Sequence, residues 1–325
     1  MEGSSAASVW VLAESRDGTP LPVVLELLTA ARSLAPVVDA VAWGPAAASS
    51  AATLGSYGAR RLLDVGDLGE SLPAPRVAAA IGRELEAGRG PDALLIGTSY
   101  DGRDVAARLS ARIDRPVLTN VVGLSHGESG IVSEHAVFGG SQIARACFTG
   151  PPPHLFVVRA KSFAAAPCGG PPCEVVALDA PTTGATDGAR VVARHVEARE
   201  GPSLDEASVI VSGGRGLGSA GNYSLIEELA KLLGGAAGAS RAIVDAGWVP
   251  YSHQVGQTGK TVKPAVYLAF GISGATQHLV GMKGAQRVVA VNKDAEAPMI
   301  ALADLGVVGD ALEVLPKLIE ALRAR

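Results

Sequence analysis

The feature that most constrains the fold is an alternation of short apolar segments with longer segments of helical spacing. The apolar segments are typical of buried strands and comprise residues 8–13, 37–43, 60–65 and 92–97. The segments with helical spacing comprise residues 20–35, an alanine-rich stretch after Trp43, and residues 76–87 and 104–113. Because strands that alternate with such helices are joined by right-handed crossovers, the sequence predicts an α/β domain with a mostly parallel sheet.

The pattern changes after Pro116, where short strand-like segments replace the alternation. These segments are separated by turn-forming residues and comprise residues 130–138, 142–148, 154–159, 174–177 and 190–196. Short strands that follow one another with turns between them favour antiparallel pairing. We therefore expect an antiparallel strand extension at one edge of the first sheet.

A polar segment with glycine and proline, residues 199–203, is the best candidate for an interdomain linker. After it a second series of strand-like and helical segments comprises residues 208–211, 222–233, 266–270, 287–291 and 311–322. The sequence therefore predicts two α/β domains, residues 1–199 and residues 205–325.

Charge and cysteine content exclude several classes of protein. The net charge is −4, which leaves no basic excess to neutralise phosphates, so we expect no nucleic-acid partner. Three cysteines in 325 residues cannot form a disulfide framework, which favours a reducing compartment. The longest uncharged segment, residues 264–282, is interrupted by glycines and polar side chains. We therefore expect no membrane insertion and a cytoplasmic protein.

A glycine-rich turn, residues 212–219, follows the first strand-like segment of the second domain and contains Arg215. Backbone N–H groups in such a turn can bind a phosphate at a helix N-terminus. Gly216, Gly218 and Gly221 also fit the dinucleotide pattern G-x-G-x-x-G, which gives an alternative interpretation as an NAD(P)-dependent dehydrogenase. An ordinary turn between a strand and a helix is a third interpretation.

Ser240 and Arg241 form a second candidate for ligand contacts. A hydroxyl beside a guanidinium can bind a phosphate or polarise an electron-rich ring. The alternative is a helix-capping serine followed by a surface arginine.

Residues 254–261 resemble a Walker A loop, but Gln254 stands where that motif needs a glycine. The substitution removes the tight turn around the phosphates, which excludes a nucleoside triphosphatase. The backbone N–H groups of this loop and the Thr258 hydroxyl can instead contact a flat ligand.

Residues 271–278 follow the strand-like segment 266–270 and predict a helix that begins near Gly274, which would make a further anion site. His278 lies in this segment, although a lone histidine is more often structural. Asn292 and Asp310 follow strand-like segments, where ligands bind in open parallel sheets.

These motifs together resemble the flavin-binding domain of the electron-transfer flavoprotein alpha subunit. The matching stretches cover about the last third of the chain and comprise residues 212–218, 238–241, 245–247, 254–260, 271–278, 291–294 and 296–298. The remainder resembles the family only loosely, through the α/β pattern. The resemblance implies a doubly wound parallel sheet that binds FAD, in a heterodimer whose beta subunit carries AMP.

The resemblance also implies a function and a set of partners. The family carries electrons from acyl-CoA dehydrogenases of fatty acid beta-oxidation to a membrane electron-transfer flavoprotein–quinone oxidoreductase. The sequence has no catalytic triad and no paired-carboxylate signature that would contradict this. We therefore expect an electron carrier without a catalytic residue of its own, and no metal site.

The resemblance assigns residues to the parts of FAD. It implies that the phosphates and the ribityl chain contact Arg215, Ser240, Ser273, Gly274 and Gln277. It implies that Gln257 and Thr258 face the isoalloxazine ring, with Thr258 near N(5).

The resemblance also assigns residues to the flavin ring and to the adenosine end of FAD. Arg241 is expected over the ring, and His278 near the pyrimidine carbonyl, as a hydrogen-bond donor or, if protonated, as a charge. Asn292 and Asp310 are expected at the adenosine end. The other predicted contacts are Gln254, Val255, Gly256, Ala275 and Thr276.

Two other functions compete with the carrier. The first is the NAD(P)-dependent dehydrogenase described above. The second is a regulatory module in which residues 1–196 bind an adenine nucleotide. Cys168 and Cys173, which flank a Gly-Gly-Pro-Pro turn, are an alternative candidate for a metal or redox pair, although two thiols without a nearby histidine make a poor zinc site.

Overall fold

The computed structural model describes residues 6–128, 130–138, 142–193, 201–204 and 207–324. The chain divides into two compact units, Met1–His195 and Val196–Arg325. Residues 199 and 200 of the predicted linker, and the predicted domain boundaries at residues 199 and 205, lie outside the described residues.

The first unit contains a large sheet and the helices that cover it. Its strands are β1 (Ser8–Leu12), β2 (Ser15–Arg16), β3 (Thr19–Pro20), β4 (Val37–Ala42), β5 (Arg61–Asp64), β6 (Ala93–Gly97), β7 (Val117–Gly127), β8 (Gly130–Val137), β9 (Gln142–Cys147), β10 (His154–Val158) and β11 (Glu174–Ala177). Its helices are α1 (Pro22–Leu34), α2 (Ala51–Ser56), α3 (Pro73–Glu86) and α4 (Tyr100–Ile113).

The large sheet is mixed, as the sequence predicts. Among the described residues its strand order is β11-β5-β4-β1-β6-β10-β7-β8-β9. The strands from β11 to β7 run parallel, whereas β8 and β9 add an antiparallel hairpin at one edge. The predicted α/β class and the antiparallel extension are therefore confirmed.

Three segments assigned to that extension are placed differently by the structure. Strand β10 lies between β6 and β7 and is parallel to both, because four of its five side chains are apolar and nearly fully buried. Strand β11 pairs in parallel with β5 at the opposite edge. Of residues 190–196, Arg190 makes only an isolated bridge with Ser71, and residues 194–196 lie outside the described residues.

Alternating side chains of β1 build the cores on the two faces of the sheet. Val9 and Val11 pack on one face, whereas Trp10 and Leu12 pack on the other. All four side chains are at most 2 % exposed. Burying each of them stabilises the fold by roughly 1.5–3 kcal/mol.

The second unit is built on an entirely parallel sheet. Its strands are β12 (Val209–Gly213), β13 (Ala236–Ala239), β14 (Val266–Phe270), β15 (Arg287–Asn292) and β16 (Leu305–Val308). Its helices are α5 (Ser224–Leu232), α6 (Arg241–Asp245), α7 (Thr276–Met282), α8 (Pro298–Leu302) and α9 (Ala311–Arg323).

The strand order β13-β12-β14-β15-β16 makes this sheet doubly wound. After β12 the chain moves outward to β13 and then returns to the other side of β12 to form β14. The helices that follow β12 and β14 therefore pack on opposite faces of the sheet. In open α/β sheets the ligand crevice lies at the carboxyl ends of the strands where the strand order reverses in this way. Buried clusters cover both faces of the sheet.

Candidate functional site

Predicted ligand contacts follow the carboxyl end of every strand in the second sheet. Arg215 follows β12, Ser240 follows β13, Ser273 follows β14, Asn292 ends β15, and Asp310 follows β16. Because the strands are parallel, these residues lie along one edge of the sheet. The topology thus places residues that are far apart in sequence at one crevice.

The loops after β12 and β14 are locked together by glycines. The N–H of Gly214 donates to the carbonyl of Phe270 at 2.9 Å, and the N–H of Gly216 donates to the carbonyl of Gly271 at 3.0 Å. A Cβ on Gly216 would lie 2.6 Å from the Cα of Gly271, which has a φ of +63°. Only glycine fits this approach.

This lock argues against the dinucleotide interpretation of Gly216, Gly218 and Gly221. The N–H of Gly216 is already used by Gly271. Residues Ala220–Tyr223 form a 3-10 turn, and α5 begins only at Ser224 rather than at 222. A dinucleotide fingerprint instead opens directly into its helix. Arg215 is exposed beside the lock.

The loop of residues 254–261 is held between β13 and α7. The N–H of Val255 donates to the carbonyl of Ala239 at 3.0 Å, and the N–H of Gln257 donates to the carbonyl of Gln277 at 2.7 Å. Gln254, Val255 and Gly256 are buried, whereas Gln257 and Thr258 are exposed. The buried residues fix the loop, and the exposed pair is available to a ligand.

Residues 271–275, which precede α7, are not helical. Gly274 has a φ of +86°, and a Cβ there would lie 2.4 Å from the backbone nitrogen of Met299. Because this conformation is not helical, α7 begins at Thr276, two residues after Gly274, near which the sequence predicts its start. The exposed residues of segment 271–278 are Ser273, Ala275, Thr276 and Gln277.

His278 is the buried member of this segment. It is 6 % exposed, and its Nε2 lies 2.9 Å from the hydroxyl of Tyr267. Burial lowers the pKa of His278 to about 4, although the backbone of Val255 opposes the shift. The imidazole is therefore neutral at pH 7 and acts as a hydrogen-bonding group rather than as a charge.

Two buried polar atoms in or near the contact between His278 and Tyr267 have no hydrogen-bond partner of normal geometry among the described residues. They are Nδ1 of His278 and Oγ of Ser212. A buried polar group left without a partner costs about 1–3 kcal/mol. Interactions short of a normal hydrogen bond remain, since the backbone of Val255 acts on His278 and the Ser212 hydroxyl acts on Tyr267. A polar group of a bound cofactor would complete the hydrogen bonding of Nδ1 and Oγ.

Ser240 is the N-cap residue of α6, and Arg241 is the first residue of that helix. The N–H of Ser240 donates to the carbonyl of Gly213 at 3.0 Å, but its hydroxyl does not cap the helix. The interpretation of Ser240 as a helix-capping side chain is therefore wrong. Arg241 is exposed, and its Nε donates to Asp245 at 3.1 Å.

Asn292 and Asp310 are oriented by contacts within the protein. Nδ2 of Asn292 donates to the carbonyl of Ile272 at 2.9 Å. Asp310 accepts from the N–H of Leu312 at 2.9 Å and pairs with Lys293 at 2.9 Å. The hydrogen bond from Lys293 and that from Leu312 hold the pKa of Asp310 below its usual value. Asp310 is therefore a fixed carboxylate at this end of the crevice.

Sequence reasoning assigned no role to Tyr267, nor to Ser212, although Ser212 opens the predicted glycine-rich turn. Tyr267 is fully buried within the apolar strand β14, where a tyrosine is indistinguishable from a core aromatic in the sequence. Only its hydrogen bond to His278 reveals a polar role. For Ser212 the available signal was its position as a polar residue within the otherwise apolar strand β12.

The two cysteines of the Gly-Gly-Pro-Pro turn are free thiols. Cys168 is exposed, whereas Cys173 is buried with its Sγ 3.3 Å from the carbonyl of Ala59. Burial raises the pKa of Cys173 to about 11. A buried, protonated thiol is inert, which argues against a redox pair. In the described part of the chain no group of three potential metal ligands occurs.

No helix within the described ranges is long and apolar enough to span a membrane. The second unit has the doubly wound parallel sheet that is typical of domains that bind nucleotides and related cofactors. A hydroxyl, amide or charged side chain lies at or just after the carboxyl end of each of its five parallel strands.

Comparison with known proteins identifies the cofactor and the family. The electron transfer flavoprotein domain matches residues 9–183, and the electron transfer flavoprotein FAD-binding domain matches residues 203–283. The electron transfer flavoprotein subunit alpha of Mycobacterium leprae is 41 % identical, over 98 % of this chain and 99 % of the relative. That of Thermoanaerobacterium thermosaccharolyticum is 38 % identical, over 97 % of each chain.

A further relative, protein FixB of Clostridium saccharobutylicum, is 34 % identical over 96 % of this chain and 95 % of the relative. The chain belongs to the electron transfer flavoprotein alpha subunit family. Its second unit is an FAD-binding domain, so the cofactor is FAD, as the sequence predicts.

Proposed function

We propose that this chain is the FAD-carrying subunit of a heterodimeric electron carrier in the cytoplasm. In this proposal the partner is a beta subunit that carries AMP. Electrons enter from acyl-CoA and related dehydrogenases and leave to a membrane electron-transfer flavoprotein–quinone oxidoreductase. When bound, FAD supplies the chemistry by accepting and releasing electrons.

The observation that carries the proposal is the convergence of exposed polar side chains on the crevice. Arg215, Ser273 and Gln277 would hold the phosphates and the ribityl chain, and all three are exposed. Gln257 and Thr258 would face the flavin ring from the loop fixed on Ala239 and Gln277. The binding residues therefore come from several loops that the parallel sheet brings to one edge.

The remaining residues of the site would contribute by charge and by hydrogen bonding. Arg241 would place a guanidinium, which is always charged, against the ring. His278 would contact the pyrimidine carbonyl as a neutral hydrogen-bond donor, since burial lowers its pKa to about 4. Asn292 and Asp310 would bind the adenosine end. None of these roles requires a nucleophile or a general base, which fits a carrier better than an enzyme.

The experiment that tests this function uses the full chain co-expressed with a beta-type subunit. An acyl-CoA dehydrogenase and its acyl-CoA are added under anaerobic conditions, and flavin absorbance is followed. We expect bleaching that depends on the dehydrogenase, and recovery of colour when the quinone oxidoreductase and quinone are added. Bleaching by NADH alone, without any dehydrogenase, would favour the NAD(P)-dependent alternative.

A further inference from the structure

The hydroxyl of the exposed residue Thr258 accepts a hydrogen bond from the side-chain amide of the buried residue Gln254. Nε2 of Gln254 donates to Oγ1 of Thr258 at 2.9 Å. Gln254 is 2 % exposed, whereas Thr258 is exposed. A buried side chain thus fixes the hydroxyl of an exposed one four residues later.

The backbone of Gln254 is itself fixed on both sides. Its N–H donates to the carbonyl of Tyr251 at 2.9 Å, and its carbonyl accepts from the N–H of Lys260 at 2.7 Å. The hydroxyl of Tyr251 also donates to the carbonyl of Thr258. Both ends of the Gln254–Thr258 contact are therefore held in place before any ligand arrives.

The direction of this hydrogen bond determines what Thr258 can do. A threonine hydroxyl has one proton and two acceptor lone pairs. Because the amide of Gln254 donates to one lone pair, the hydroxyl proton points away from Gln254. Thr258 is then a hydrogen-bond donor towards the exposed side of the loop, where its orientation would otherwise be free.

We infer that Gln254 is a positioning residue that makes Thr258 a hydrogen-bond donor to the flavin ring. The inference rests on the proposed function, in which Thr258 faces that ring. It also changes the role of Gln254, which the sequence places among the direct cofactor contacts: at 2 % exposure it acts through Thr258. The reduced ring carries more negative charge than the oxidised ring, so an oriented donor stabilises the reduced form.

The central test is a double-mutant cycle in the full heterodimer, with the flavin potentials as the readout. Gln254→Met removes the amide and keeps an apolar stem of similar length. We expect the equilibrium for the first one-electron reduction to fall about tenfold, which is a shift of about 59 mV. In a Thr258→Val background the same substitution should have almost no effect, because the group through which Gln254 acts is gone.

Gln254→Glu tests the direction of the hydrogen bond with almost unchanged shape. At a pH above the pKa of the introduced carboxyl, the carboxylate accepts the Thr258 proton and turns it inwards, so the shift should be at least as large as in Gln254→Met. At a pH below that pKa, the protonated carboxyl donates to Thr258 as the amide does, and the shift should disappear. The exposed Gln286 provides a control, since Gln286→Met should leave the potentials unchanged.

A second readout needs no flavin. In the cofactor-free protein, three-bond couplings of the Thr258 methyl group report its rotamer. We expect one rotamer in the wild type and averaging in Gln254→Met. Equal potential shifts with and without the Thr258 hydroxyl, or unchanged potentials in both Gln254 variants, would overturn the inference. A wild-type heterodimer that binds no flavin would instead refute the proposed function itself.

Discussion

The hydroxyl of Tyr267 lies 2.9 Å from Nε2 of His278, and this contact joins the buried strand β14 to helix α7. Burial raises the pKa of Tyr267 well above its ordinary value, although the neighbouring Ser212 hydroxyl opposes the shift. The phenol therefore keeps its proton, and we expect it to donate to Nε2. Since the imidazole is neutral, its own proton then resides on Nδ1.

This contact predicts the tautomer of His278. In the wild type, nitrogen chemical shifts should show a single neutral tautomer with Nδ1 protonated, and Tyr267→Phe should give a mixture. The variant should also lose about 1 kcal/mol of stability with the hydrogen bond. Tyr223→Phe is the matched control, because it removes a buried hydroxyl whose partners are the carbonyl of Gly238 and Nδ1 of His253, both at 3.0 Å, rather than His278. Unchanged His278 shifts in Tyr267→Phe would show that the tyrosine does not select the tautomer.

The low pKa of His278 predicts a loss of stability in acid. Its pKa is lowered from 6.5 to about 4 by burial, so the unfolded chain binds this proton more readily than the folded one. The stability that His278 contributes is therefore present above its ordinary pKa and is lost as the pH falls from about 6.5 to 4. The loss approaches roughly 3 kcal/mol. Denaturant unfolding of wild type and His278→Gln across this range measures it, and the variant should show a flatter pH dependence.

Glu14 predicts the opposite pH dependence in the first unit. Burial raises the pKa of Glu14 from 4.5 to about 7, although a hydrogen bond from Ser99 at 2.6 Å opposes the shift. The protonated carboxyl is favoured in the folded state, so stability is lost as the pH rises from about 4.5 through 7. Glu14→Gln should therefore be more stable than the wild type at pH 8 by up to roughly 3 kcal/mol, and similar to it at pH 4.5.

An exposed glutamate provides the comparison for this substitution. Glu70→Gln removes the same charge from the surface of the same unit and should change stability little at either pH. If melting temperatures of Glu14→Gln and the wild type differ equally at pH 4.5 and pH 8, the buried carboxyl is not titrating as described.

The ion pair between Arg241 and Asp245 predicts that substitutions of the two residues shift the flavin potential in opposite directions. A charge-assisted contact contributes roughly 1.5–3 kcal/mol, and the arginine side chain is 64 % exposed, which favours the lower value through solvent screening. Arg241→Ala should therefore keep FAD but lower the first one-electron potential by roughly 60 mV. Asp245→Asn removes the carboxylate that partly neutralises Arg241 and should raise the same potential. Shifts of the same sign in a reductive titration would contradict this assignment.

The sequence predicts most of the long, apolar strands. It does not predict strands whose formation or position depends on contacts with residues distant in sequence. Strand β13 was missed because Ala236–Ala239 contains only alanine and glycine, which carry no strand signal until Ile210 and Ser212 pair with them. Strand β10 was assigned to the wrong edge because its position between β6 and β7 depends on contacts distant in sequence.

The site was predictable to the extent that polar residues interrupt an apolar pattern. Asp310 and Ser273 stand out directly after strand-like segments. The lock between Gly216 and Gly271 was not predictable, because it depends on the approach of two loops that are distant in sequence. The roles of Gln254 and Tyr267 depend on burial, which the sequence does not record.

Flavin content per chain tests the central claim most directly, namely that one FAD lies at the carboxyl ends of the second sheet. The heterodimer is denatured, and the released cofactor is identified and quantified by chromatography for three proteins. The wild type should release close to one FAD per heterodimer, that is, one per copy of this chain. Gly274→Ala should release far less, because its Cβ would meet the Met299 nitrogen at 2.4 Å. Gly221→Ala, which has no neighbour within 4 Å, should match the wild type. Release of NAD instead of FAD, or loss of cofactor in Gly221→Ala with full retention in Gly274→Ala, would contradict the account.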